Sequence, residues 1–165
     1  MLSDKELVKY SEEDLFYEIW MLFGIGEVLA RSPVTSEIFR YALIESFVIH
    51  LHTLILFLNP AGKAKAGGVT AAHFLDRAGK GKKKLPALSA ALRKAGAQAH
   101  KDVGHFTAGR ISRALPENAW DVRKLLDDLK KRLTLFAQLA SETRLHPNVK
   151  KLVDSISRSA DEKTG

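Results

Sequence analysis

Tyr41-Ala-Leu-Ile-Glu-Ser-Phe-Val-Ile-His-Leu-His-Thr-Leu-Ile-Leu-Phe-Leu58 is one of the most apolar stretches of the chain. Its apolar residues run almost all the way round a helix, the mark of a central element packed on several sides. Ser36 or Thr35 is placed to cap its start. The stretch also meets the length of a membrane span, but Glu45, His50 and His52 near its middle and Arg40 at its head argue against one. An unpaired ionisable group in such a helix is costly, so each of the three needs a partner or an exit to water. At about 100° per residue, Glu45 and His52 share a stripe with Ile38, Ile49 and Leu56, whereas His50 points elsewhere.

Helical spacing continues on both sides. Ser11-Glu-Glu-Asp14 reads as a helix start with Ser11 as N-cap, followed by Leu15, Ile19, Leu22, Phe23 and Val28. Gly24 and Gly26 weaken that helix by about 1 kcal/mol each relative to alanine, and they leave room for another helix to approach. Ser32-Pro33 breaks the chain. Residues 59–68 form a loop, Thr70 to Asp76 a short helix, and residues 77–84 a second, basic loop. Pro86 is suited to open a helix in which Leu88, Leu92, Ala95, Ala99, Val103 and Phe106 recur at three and four residues. After Leu115-Pro116, a long helix is expected from about Glu117 to Ser141. Pro147 opens a last one to about Arg158, and residues 159–165 read as a disordered tail. No pair of strands is evident. The expected fold is all-α, a single helical domain spanning 1–165. It is a bundle of four to five main helices with a basic loop between the second and third.

Charge is distributed unevenly. Residues 1–58 carry 4 Lys/Arg against 9 Asp/Glu, residues 59–113 carry 12 against 2, and residues 114–165 carry 10 against 8. All the excess positive charge of the +7 total therefore lies in the middle third, a block that attracts phosphate backbones or acidic partners. The absence of cysteine excludes disulfides and thiolate metal sites. No basic region followed by an apolar run opens the chain, so a cytoplasmic protein is expected.

A second polar segment, Lys101-Asp-Val-Gly-His-Phe-Thr-Ala-Gly-Arg110, is the natural partner for the first. Glu45, His50 and His52 with Lys101 and Thr107 are read as one polar pocket. Arg93 and His100 are seven residues apart and share another face of the same helix. Arginine binds and neutralises a phosphate, and a histidine near its free pKa moves a proton. His105 or His100 as the acid/base group and Arg110 or Arg93 as the phosphate holder are sufficient for cleaving RNA by attack of its own 2′-hydroxyl, with no metal and no cofactor. Lys80, Lys82, Lys83 and Lys84 would guide the strand in.

The chain resembles HEPN-type helical domains, whose motif is an Arg followed after four to six residues by a His. Arg93-Lys-Ala-Gly-Ala-Gln-Ala-His100 fits with six between them. It is also similar to a group of small bacterial proteins with a Glu-Ser-Phe-x-x-His segment and a later Lys-x-x-x-His-x-Thr-x-x-Arg segment. Here these are Glu45-Ser46-Phe47-Val48-Ile49-His50 and Lys101-Asp-Val-Gly-His105-Phe-Thr107-Ala-Gly-Arg110. That group commonly has an Arg two residues after the first His, where this chain has His52. The resemblance implies an RNA-binding protein or metal-independent ribonuclease of prokaryotic defence or stress, acting as a homodimer with no membrane role. Two other readings stand beside it. One is a non-enzymatic interaction module in which the same residues form a buried network that fixes helix register. The other is a metal site built from Glu45, His52 and His105, although no Glu is followed three residues later by His as in di-iron bundles.

Overall fold

The structure, a computed structural model, describes residues 2–31, 36–59, 68–75, 84–102 and 120–158. Over these residues the protein is all-α. α1 (Asp4–Tyr10) passes through a π-turn (Ser11–Leu15) into α2 (Phe16–Arg31) as one rod, and α3 (Glu37–Leu58), α4 (Ala90–Asp102), α5 (Val122–Leu139) and α6 (Pro147–Arg158) follow. A single 3-10 turn, Ala71–His73, stands where a short helix to Asp76 was expected.

The first helix starts eight residues earlier than its Ser11 signal suggested. The Ser3 hydroxyl accepts from the Glu6 N–H at 3.3 Å while the Glu6 carboxylate accepts from Ser3 N–H at 2.7 Å, a reciprocal capping box. Ser11 is fully buried inside the rod. Its hydroxyl donates to the Val8 carbonyl at 2.8 Å and accepts from the His146 N–H at 2.9 Å, so it ties the π-turn to the start of α6. Ser36 caps α3 as expected, and Asp121 caps α5 through the Lys124 N–H. Pro86 lies ahead of α4 rather than opening it. Ser89 is the cap, its hydroxyl accepting from the Leu92 N–H at 3.1 Å. Pro147 does occupy the first position of α6, where its missing N–H costs nothing.

The rods pack as a bundle: α2 on α3, α3 on α4, α5 on α2, α3, α4 and α6, and α6 on α2 and the π-turn. Ile19, Leu22, Phe47, Leu51, Leu92 and Leu129 fill the centre. Phe74, delivered by the segment after the 3-10 turn, joins Phe57 and Phe136 in an edge-to-face cluster with ring centroids 5.3 to 5.8 Å apart. That segment is held by the Ser141 N–H, which donates to the Phe74 carbonyl at 2.8 Å. Two glycines allow close helix approach. A Cβ at Gly26 would stand 2.6 Å from a Leu126 methyl, and one at Gly96 would stand 2.9 Å from Cγ2 of Ile55.

α3 is central, as its composition indicated, but one face is exposed among the described residues. Ile38 is 81% exposed and Phe39 69%, and Ile49 and Leu56 are about half exposed. The stripe expected to turn inward is this outer face. α3 is long and apolar enough to cross a membrane, and half of the qualifying stretch is buried inside the protein.

Candidate functional site

Glu45, His50 and His52 of α3 go to three different places. Glu45 belongs to the outer stripe and is exposed, so among the described residues it leaves the apolar helix by reaching water. Most of the segment expected to face it, residues 103–110, lies outside the described residues. His50 is buried, and its Nδ1 lies 2.8 Å from a Glu18 carboxylate oxygen on α2. The Tyr17 ring meets the imidazole edge-on at 5.6 Å. The pair joins α2 to α3, and Glu18 is a partner the sequence reading did not name. Glu18 shares a stripe with Leu22, Ile25 and Leu29, at intervals of four, seven and eleven residues. A carboxylate on that stripe was therefore a readable sign of an internal partner.

His52 lies on the opposite flank of α3, beside α4. Its ring and that of His100 are 5.7 Å apart between centroids and tilted by 33°. His52 is half-buried and His100 exposed, so the pair sits at the surface along the seam between α3 and α4. The seam is close because Gly96, one turn before His100, admits the Ile55 side chain. Arg93, Lys94, His100 and Lys101 are all exposed, and α4 carries no acid before Asp102 at its end. Arg93 spends one guanidinium N–H on the Leu88 carbonyl at 2.7 Å, which holds its stem along the first turn of the helix. Lys84 is exposed ahead of α4. His105, Thr107, Arg110, Lys80, Lys82 and Lys83 lie outside the described residues.

Arg132 on α5 is a second residue the sequence reading passed over. It is buried and donates to the Leu58 and Pro86 carbonyls at 2.8 Å each and to the Ala87 carbonyl at 3.3 Å. Burial pushes its pKa below the ordinary guanidinium value. By tying the end of α3 to the segment that leads into α4, it fixes the two helices that carry His52 and His100. Among the described residues no group of three or more His, Asp or Glu is arranged to hold a metal ion. Two adjacent imidazoles on a basic edge can take and return a proton beside a bound phosphate. No protein-family model, curated protein or solved structure matches this chain.

Proposed function

We propose that this protein is an RNA-binding helical domain of the HEPN type that cleaves its strand without a metal. The supporting observation is the apposition of His52 and His100 at the edge of a helix whose exposed side chains are basic. On this reading Arg93, Lys94 and Lys101 draw in the phosphate backbone. One imidazole takes the 2′-hydroxyl proton as that oxygen bonds to phosphorus. The other gives a proton to the departing 5′-oxygen, leaving a 2′,3′-cyclic phosphate and a free 5′-hydroxyl. The uncovered apolar face of α3 borders this seam and supports pairing with a second copy, since apolar faces of this kind on soluble proteins mark interfaces.

Two experiments test the proposal. Single-stranded RNA of mixed sequence is incubated with the protein in EDTA. Cleavage to cyclic-phosphate ends is expected, with a loss of about 100-fold or more in His52→Ala or His100→Ala. Equal rates in the wild type and both variants overturn the assignment of the pair. Phe39→Glu and Ile49→Glu are expected to turn a dimer into a monomer in light scattering, and a monomeric wild type removes the second copy.

The interaction-module reading is favoured by a different observation. The His50–Glu18 pair is internal and serves to register α2 on α3, as a polar network in a structural bundle would. A protein that binds RNA and never cleaves it is the outcome that selects this reading.

A further inference from the structure

Gly24 is the one glycine of α2 that the fold does not explain. It lies mid-helix on the solvent side, with ordinary helical backbone, and a Cβ placed there would meet nothing within 4 Å. Gly26 and Gly96, by contrast, are each demanded by a neighbouring side chain. A glycine inside a helix weakens it, so one that no internal contact requires points to something outside the chain. Trp20 stands one turn before it and is 55% exposed although large and apolar. Between them the missing side chain leaves a notch walled by an indole. The notch opens into a groove of about 340 Å³ between α2 and α6, floored by Phe23, Leu152 and Ile156. At its rim Arg31 is paired through Nε with Glu27, which orients the guanidinium, and the five N–H donors of a guanidinium let it serve more than one acceptor. The Arg123 guanidinium donates to the Ala30 carbonyl at 2.9 Å, bringing a second positive charge to the same end of α2.

We infer that this groove binds one nucleotide unit of an RNA strand, its base slotted between Trp20 and the bare backbone of Gly24 and its phosphate held by Arg31. A flat ring fits a notch one side chain wide, and stacking on an indole is open to any base. The volume lies at the lower end of that of small-ligand sites. The Arg31 guanidinium at the rim, although shared with Glu27, supplies charged donors that a purely apolar occupant would not use. The inference rests on the RNA reading for its choice of ligand, and it places a second contact on α2 and α6 rather than on α4.

Calorimetry with AMP, adenosine and ribose 5-phosphate tests the groove by itself, and anisotropy with a short labelled single-stranded RNA tests the reading beneath it. AMP is expected to bind one site per chain, more tightly than either fragment. Trp20→Ala and Gly24→Leu are expected to weaken AMP at least about tenfold, in line with the loss of one stacked base. Gly24→Leu is also expected to melt at or above the wild-type temperature, because leucine is the better helix former on a surface with open space, so lost binding is not lost folding. If the wild type binds no AMP, or both variants bind it as the wild type does, the inference fails. RNA binding without AMP binding overturns the groove and leaves the RNA reading standing. AMP binding without RNA binding does the reverse.

Discussion

Replacing Arg132 by methionine tests how the two site helices are held together. The guanidinium makes two bonds of 2.8 Å and one of 3.3 Å to main-chain carbonyls, and the Leu58 carbonyl among them is buried at the end of α3, where the helix itself supplies no donor. Hydrogen bonds from a charged donor contribute about 1.5–3 kcal/mol each, so the two short ones amount to about 3–6 kcal/mol. Part of this is offset. The cation is desolvated by its burial, which lowers its pKa, and Nε is buried without a partner among the described residues. Methionine fills similar volume and removes the charge but leaves the Leu58 carbonyl stranded. The expected net loss is about 3 kcal/mol. Urea unfolding followed by far-ultraviolet circular dichroism measures it, with an unchanged slope as the sign that only stability has moved. Arg132→Lys should fall between the two, because one ammonium does not reproduce a fork that spans three carbonyls. A loss below about 1 kcal/mol for the methionine variant would show that burying the cation costs as much as its bonds return.

Two further outcomes follow from particular contacts. The Asp4 carboxylate accepts from Arg144 and Thr143 at 2.9 Å each, and these bonds hold its pKa below the ordinary 3.8. A carboxyl with a depressed folded pKa stabilises above its unfolded value and loses that contribution as pH falls through the folded one. The stability gap between wild type and Asp4→Asn is therefore expected to be constant near neutrality and to close as pH drops below 3.8. A gap unchanged down to strongly acidic pH would show that the Arg144 contact contributes no linked proton. Gly96→Ala is expected to destabilise by about 1–2 kcal/mol after its gain in helix propensity. The atom it meets is Cγ2 of buried, β-branched Ile55, which has no free rotation with which to move aside. Equal thermal stability of the two proteins would refute that close approach.

Much of the fold was legible because periodicity and punctuation agree along most of the chain. The long apolar run became α3, and the cap Ser36 and the opening Pro147 each correspond to a local physical cause and stand at an element boundary. The misreadings come from local signals with more than one physical outlet. Ser11 followed by three acids satisfies the rules for an N-cap, but its hydroxyl finds a carbonyl within the rod and an N–H from α6, so the chain stays helical through it. Pro86 suits a first helical turn, yet its carbonyl is claimed by Arg132 and the helix waits for Ser89. Both deciding partners lie far along the sequence, and no local window contains them.

The site was legible as a set of residue types and illegible as a set of partners. Seven-residue spacing placed Glu45 and His52 on one stripe of α3, yet Glu45 is exposed and His52 is half-buried against α4. What spacing does not carry is which stripe of an almost wholly apolar helix faces water, since apolar residues on every side leave no gradient to read. The answer came from the neighbours. Glu18 on α2 claims His50 on one flank, and α4, drawn in at Gly96, brings His100 to His52 on the other. The sector between the flanks is left outward with Glu45, Ile49 and Leu56. The division of labour follows from this. His50, joined to a part-buried carboxylate, registers α2 on α3, and His52, beside a second imidazole at a basic surface edge, is the one the proposed cleavage uses, though both are carried by one turn of the same helix.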